Sequence, residues 1–183
     1  MPAKKQITKE KILSAAMDIL KREGMDAVNV KSLAKELNCS TQPIYLSFSG
    51  MDELRVELAA TAVQEFEQII KRKNKGKPAC LYGMDYILFA QEEPELFRFL
   101  FMRDHAFDEM KQTLKPVIEQ SVEEIMKQYS IDHDEAEYFH DQLWVHTHGI
   151  ASMIATGFCD WDMKKVEGML EECRTYLAGK YEA

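Results

Sequence analysis

An all-α fold is what this sequence predicts, on three observations. Apolar residues recur at three- and four-residue spacing over almost all of its 183 residues, β-branched alternation is nearly absent, and glycine and proline fall between the periodic segments. Hydrophobic residues make up 46% of the chain, enough for a real core. No stretch approaches the roughly 18 uninterrupted apolar residues of a membrane span. The basic, polar start leads into no apolar run, so a cytoplasmic address without a secretory signal is expected. Cys39, Cys80, Cys159 and Cys173 are scattered without a C-x-x-C pair, which argues against a zinc knuckle or disulfide framework and suits reduced thiols.

The first helix covers about residues 8–23. Thr8 is its expected N-cap, Ile12, Leu13, Ala16, Ile19 and Leu20 share one face, and Gly24 ends it. A short second helix, 30–37, is capped by Asn29 and turns Leu33, Ala34 and Leu37 inward. Asn38-Cys39-Ser40 makes a tight turn, and Ser40 caps a third helix, 41–47, with Pro43 in its first turn and Ile44 and Phe48 facing in. Ser49 with Asp52 reads as a capping box. It opens a long fourth helix, about 51–74, with Leu54, Leu58, Ala62, Phe66 and Ile69 along one side. That helix ends in Lys71-Arg72-Lys73-Asn74-Lys75-Gly76-Lys77-Pro78, read either as a solvated helix end favoured by the macrodipole or as a second phosphate-binding patch.

Beyond this linker, Leu81, Met84 and Leu88 form a fifth helix that Pro94 ends. Residues 95–102 are apolar nearly all round and should be buried. A seventh helix covers 116–129. Asp132 and Glu135 cap an eighth that runs to about 156, residues 157–160 turn the chain, and a ninth covers 163–179. The expectation is nine helices and no strands. Residues 1–50 form one domain and 51–183 a second, with helix four joining them.

Charge is distributed unevenly. The chain carries −8, but residues 1–50 hold Lys4, Lys5, Lys9, Lys11, Lys21, Arg22, Lys31 and Lys35 against Glu10, Asp18, Glu23, Asp26 and Glu36. That is a head of +3 on a body of −11, and a basic head can approach phosphates. Residues 30–48 then read as helix, three-residue turn, helix, braced by the longer first helix: a helix-turn-helix. Its second short helix is held from behind by Ile44 and Phe48 and turns Thr41, Gln42, Pro43, Leu46 and Ser47 outward. Gln bonds adenine, Thr and Ser bond bases or phosphates, and Pro43 suits a thymine methyl. Tyr45, at the side, has a hydroxyl suited to a phosphate. No Arg or Lys lies on this helix, so Lys31, Lys4, Lys5 and backbone N–H groups at helix starts must supply the remaining phosphate contacts. Geometry alone fits a plain helical corner equally well.

From residue 8 to 54 the chain resembles the DNA-binding domain of the tetracycline-repressor (TetR) family. That family's pattern is a first helix, then G-x-x-x-(V/T)-V-x-x-(L/I)-A-x-x-x-x-(V/C)-S, then I-Y-x-x-F. Gly24, Val28, Val30, Leu33, Ala34, Cys39, Ser40, Ile44, Tyr45, Phe48 and Leu54 stand in register with it. The family usually has a lysine at the start of its fourth helix, where this chain has Met51 after Gly50, so that phosphate contact is lost or passes to backbone amides. Further on, the segment from Leu143 to Gly149 resembles the W-x-x-x-H-G motif of one subfamily's ligand-binding domain, and Phe89-Ala90 with Pro94-Glu95-Leu96-Phe97 fits the same subfamily.

His140, His146 and His148 with Asp141 invite a metal reading. On a helix His140 and His148 stand roughly 12 Å apart, too far for one ion, so packed histidines and no metal or cofactor are expected. The chain contains no G-x-S-x-G, no Gly-rich phosphate loop and no H-E-x-x-H, and no catalytic residue is assigned. The eighth helix has two apolar stripes, Leu143, Thr147, Ile150 and Ile154 on one side and Trp144, His148, Ala151 and Ala155 on the other. The second stripe meets either a partner or more of the same subunit. Helix nine adds Val166, Met169, Leu170, Cys173 and Leu177. These suit a two-fold four-helix interface, which resembles how the family dimerises, with Trp144, His148, Ala151, Ala155, Met169 and Cys173 as its expected contacts.

The second domain is also dense in flexible and aromatic apolar groups: Met84, Phe89, Phe97, Phe101, Met102, Phe107, Met110, Met126 and Tyr129. With Tyr86, His105, Gln142 or His148 as polar groups, they fit a mostly apolar pocket for an uncharged or weakly charged molecule. The resemblance then implies a homodimeric, ligand-responsive regulator, a repressor released from a palindromic double-stranded operator by a hydrophobic effector. The rival readings are a helical small-molecule binder or enzyme with an incidental head, and an architectural DNA-binding protein without an effector.

Overall fold

The computed structural model describes residues 7–73, 83–104, 111–112 and 114–181. Among them are nine α-helices, one 3-10 turn and no strand: α1 (Lys9–Glu23), the 3-10 turn (Met25–Ala27), α2 (Val30–Glu36), α3 (Gln42–Ser47), α4 (Met51–Lys73), α5 (Met84–Glu92), α6 (Pro94–Phe101), α7 (Lys115–Tyr129), α8 (His133–Ala155) and α9 (Met163–Ala178). Contacts divide the chain into two compact units, Met1–Phe66 and Glu67–Ala183, and α4 runs through the boundary.

In the first unit, α1, α2 and α3 pack on one another. Ile12, Ala16, Ile19 and Leu20 of α1, Leu33 and Ala34 of α2, and Ile44 and Phe48 of the α3 segment are all buried, as the spacing predicts. Thr8 caps α1 through its side chain, and Gly24, at φ 84°, closes it with an N–H bond to Leu20 O. The Gly24–Val28 stretch then makes the 3-10 turn, a detail without a periodic signal in three residues. Asn29 and Ser32 cap each other's backbone at the start of α2.

Two caps differ from expectation. Thr41, not Ser40, occupies the N-cap of α3, already in helical conformation and with no side-chain bond, because Pro43 fixes the first turn. At α4 the helix starts one residue later than a Ser49 cap requires, with Leu54 N donating to Gly50 O. Ser49 therefore donates from both N and Oγ to Glu53 Oε2, at 2.7 Å each, while Asp52 faces Arg55 instead. Lys9 pairs with Glu53 and Glu57, and Lys21 with Glu65 at 2.6 Å, so ion pairs join α1 to α4 over three turns.

In the second unit α8 is central, packing against α5, α6, α7 and α9. Asp132 and Glu135 form its capping box, and Gly157, at φ 67°, ends it. Val122, Ile125, Ala136, Phe139, Leu143, Leu177 and Ala178 make one cluster across α7, α8 and α9, on which Met126, Tyr129 and Cys173 rest. Of residues 95–102, Leu96, Phe97, Phe99 and Leu100 are buried as the apolar pattern requires, Glu95 and Phe101 are half-buried, and Arg98 and Met102 are exposed, because the segment ends at the tip of the α5–α6 pair. The surround of α8 also corrects the second stripe: Ala151 and Ala155 are enclosed within their own subunit, so neither can face a partner. Leu81 and the linker residues Asn74 to Pro78 lie outside the described residues, as do Lys4, Lys5, Cys80, His105, Phe107 and Met110.

Candidate functional sites

α3 is anchored by two side chains and presents the rest. Ile44 and Phe48 are buried, and the Lys9 ammonium sits 4.9 Å above the Phe48 ring. Outside, Ser40, Thr41, Gln42, Tyr45 and Leu46 are exposed, with Tyr45 at 63% and Leu46 at 79%, while Pro43 and Ser47 are half-buried. The Ser47 hydroxyl donates to Pro43 O at 2.9 Å, which commits its proton to its own helix and leaves its oxygen as an acceptor. The structure thus brings the predicted outward residues onto one free surface.

The cations around that surface are mostly spoken for. Besides the pairs made by Lys9 and Lys21, Arg22 is held by Glu23 and Glu36, at 2.8 and 3.1 Å. The hydrogen bond to Glu57 raises the Lys9 pKa, and the Ser49 N–H holds the Glu53 carboxyl below its ordinary value. Lys31 and Lys35, both on α2, are exposed and belong to no ion pair among the described residues. Met51, where the resemblance leads one to look for a lysine, is half-buried at the start of α4.

The second site is an aromatic cluster built by α5, α6 and α8. Tyr86 is fully buried, its ring edge-on to Phe97 and Phe101 at centroid distances of 5.5 and 5.2 Å. Phe89 also reaches Phe97, at 6.2 Å. His148 stacks between Trp144, at 5.1 Å, and Phe97, at 5.7 Å. Its Nδ1 lies 3.0 Å from the Tyr86 hydroxyl, a hydrogen bond among the packed rings. Burial pushes the phenol pKa up and the imidazole pKa down, so both groups are neutral near pH 7. A neutral pair of this kind can offer a ligand one donor or acceptor in an apolar setting.

Tyr86, Phe89, Phe97, Phe101 and His148, all expected to contact an effector, are thus packed together in one cluster. Trp144, expected at a dimer contact, joins them. Met84 is half-buried and Met102 exposed at the two ends of the α5–α6 pair, Gln142 is exposed, and Met126 belongs to the α7–α9 cluster instead. Among the described residues no three His, Cys, Asp or Glu side chains converge as metal ligands. His140 is buried beside Asp141, with 3.4 Å between Nδ1 and Oδ1.

Sequence reasoning missed an exposed apolar face. Tyr138, Val145 and Met153 recur along one side of α8, and Tyr176 stands out from α9, with the Lys180 ammonium within 5.8 Å of both tyrosine rings. Gly149 on α8 and Gly168 on α9 lie mid-helix, and a Cβ built on either meets no atom within 4 Å. A glycine inside a helix costs about 1 kcal/mol relative to alanine, and no neighbouring atom among the described residues requires one at either position. Those two glycines were the available signal.

Comparison with known proteins bears on both units. Residues 12–58 match the family described as bacterial regulatory proteins, tetR family. Residues 81–174, more than half of the chain, match the tetracyclin repressor-like C-terminal domain. The HTH-type transcriptional regulator YobS of Bacillus subtilis is 28% identical over 103 residues, 54% of each chain. The HTH-type transcriptional regulator Rv0681 of Mycobacterium tuberculosis is 22% identical over 169 residues, 87% of this chain and 74% of that one. The chain thus spans about half the length of the first relative and three quarters of the second.

Proposed function

The chain belongs to the TetR family of bacterial regulatory proteins, and on that premise we propose that it is a homodimeric repressor released from a palindromic operator by a hydrophobic small molecule. Residues 1–50 are the DNA-binding domain and 51–183 the effector and dimerisation domain, linked by α4. The observation that carries the reading is α3, a helix fixed by buried Ile44 and Phe48, with the exposed side chains of Thr41, Gln42, Tyr45 and Leu46 on its outer side. In this reading Thr41, Gln42, Pro43, Leu46 and Ser47 meet base edges, and Ser40, Tyr45 and Lys31 meet phosphates. Two such helices, one DNA turn apart, enter successive major grooves.

Dimerisation is assigned to the exposed face of α8 and α9. Val145, Met153 and Tyr176 supply apolar area, and Gly149 and Gly168 allow two backbones to approach closely. Half-buried Met169 and Cys173 flank this face. The effector enters the Tyr86–His148 cluster and is bound without being turned over. Its affinity for one arrangement of the second unit over another shifts the population away from the DNA-binding state. The ion pairs from α1 to Glu53, Glu57 and Glu65 make the first unit follow α4 as it moves. The protein acts where its operator is, in the cytoplasm, and no helix among the described residues is long and apolar enough to cross a membrane.

Selection of duplexes by the purified protein, followed by fluorescence anisotropy, tests the reading. A palindrome bound by one dimer and released by a hydrophobic compound is the expected outcome. Conversion of that compound into a product would move the protein to the enzyme class.

A further inference from the structure

We propose that the base pairs read by α3 are A·T pairs, and that thymine methyl groups carry much of their recognition. The inference rests on the DNA-binding reading above and adds the class of sequence that the operator contains.

Residues 37–50, which hold α3 and both of its flanking turns, contain no charged side chain at all, in a chain of which 30% is charged. This matters because each base has a preferred partner in the major groove. Guanine is selected by two donors from Arg or Lys on O6 and N7, and cytosine by a carboxylate accepting from N4. Neither partner exists on this surface, so a G·C pair finds no strong contact in either orientation. Lys31 and Lys35, exposed and in no ion pair among the described residues, lie on α2, the helix that crosses the phosphate backbone in this motif.

What α3 does present matches the other pair. The Gln42 side chain is exposed, and its amide sets an NH2 donor beside a carbonyl acceptor, the complement of adenine N7 and N6. Leu46 is 79% exposed, with Pro43 three positions before it on the same side. An aliphatic surface pressed on a thymine methyl buries apolar area on both sides. Pressed on cytosine, the same surface strips water from the N4 amino group and returns no hydrogen bond, which penalises the wrong base. Discrimination is therefore positive for A·T and negative for G·C.

The experiment is duplex selection from a randomised library with the full chain, run in parallel for wild type, Gln42→Ala and Leu46→Ala. Both side chains are exposed, so the variants should fold, and matching melting temperatures check this. Positions whose preference changes in either variant are those that α3 reads. A·T pairs are expected there in the wild-type selection. Replacing thymine by uracil at those positions removes only the methyl group, and should weaken wild-type binding by roughly fivefold or more. Leu46→Ala should be almost insensitive to the same replacement. G·C pairs at those positions, equal wild-type affinity for thymine and uracil duplexes, or no altered position in either variant each overturns the A·T assignment and leaves DNA binding standing. Enrichment of no duplex by any of the three proteins overturns the DNA-binding reading itself, and this inference with it.

Discussion

On the α3 segment, Tyr45 and Leu46, proposed to meet DNA, are largely exposed, and the fold is held instead by Ile44 and Phe48 buried behind them. In the second unit the reverse holds. Tyr86, Phe89 and Phe97, proposed to meet an effector, are among the most completely buried large side chains in the chain. Recognition on α3 is separable from stability, whereas recognition at the aromatic cluster is the same physics as packing. A ligand entering that cluster must replace contacts the unit already makes, and this is how its binding can bias the arrangement of α5, α6 and α8. Substitutions in the two regions should therefore fail in different ways.

The largest expected effect is at Phe97. Its ring meets Tyr86, Phe89, Phe101 and His148, so Phe97→Ala leaves a cavity at the centre of the cluster. The cost should be about 3–5 kcal/mol of stability. Denaturant unfolding would show it, and a loss below about 1 kcal/mol would mean the cluster is looser than its burial indicates. Next comes Gly149→Arg, which places a long cation where a Cβ meets no atom of the subunit. It should leave the helical circular dichroism intact while converting dimer to monomer in sedimentation and weakening operator binding tenfold or more. An unchanged sedimentation coefficient would move the interface elsewhere. Smaller still is Tyr45→Phe, expected to remove about 1 kcal/mol of operator affinity uniformly across sequences, with no change in melting temperature. A sequence-dependent loss would place the Tyr45 hydroxyl on a base.

Much of this was legible in sequence because local signals were unambiguous. The Asn29 cap, the Asp132–Glu135 box, the glycine stops at Gly24 and Gly157 and the inward pair Ile44 and Phe48 all act within one or two turns. The errors have a common cause. An apolar stripe states that a face is buried and does not state against what. The Ala151–Ala155 side of α8 fits an interface or more of the same subunit equally well from sequence, and only the packing of four helices against α8 decides for the second. Ser49 likewise announced a helix start correctly, but which carboxylate answers it, Glu53 or Asp52, depends on where the first turn begins. The meeting of Tyr86 with His148, 62 positions apart, has no local signal at all.

The smallest expected effect separates the two units by their chemistry. All five histidines lie beyond residue 66, so the first unit has no side chain with an ordinary pKa near neutrality, while the second buries His140 and half-buries His148. Burial lowers the pKa of His148 and of His140; for His140, Asp141 and Glu137 oppose the shift and Lys111 adds to it. A histidine lowered in the folded state binds its proton more readily once unfolded. Its stabilising contribution is therefore complete above the ordinary value near 6.5 and is lost as pH falls below it toward the lowered folded value. Each such group can change stability by at most about 1.4 kcal/mol per pH unit, and partial exposure of His148 reduces its share. Hydrogen exchange compared between pH 7.5 and 5.5, with intrinsic rates divided out, should show protection falling in α5, α6 and α8 and holding in α1 and α2. His148→Gln keeps an acceptor for the Tyr86 hydroxyl and should remove part of that slope, leaving the remainder to His140. Equal loss of protection in both units would mean that they unfold as one cooperative body, and the contrast between a reading surface separable from packing and a packing-coupled effector unit would not survive it.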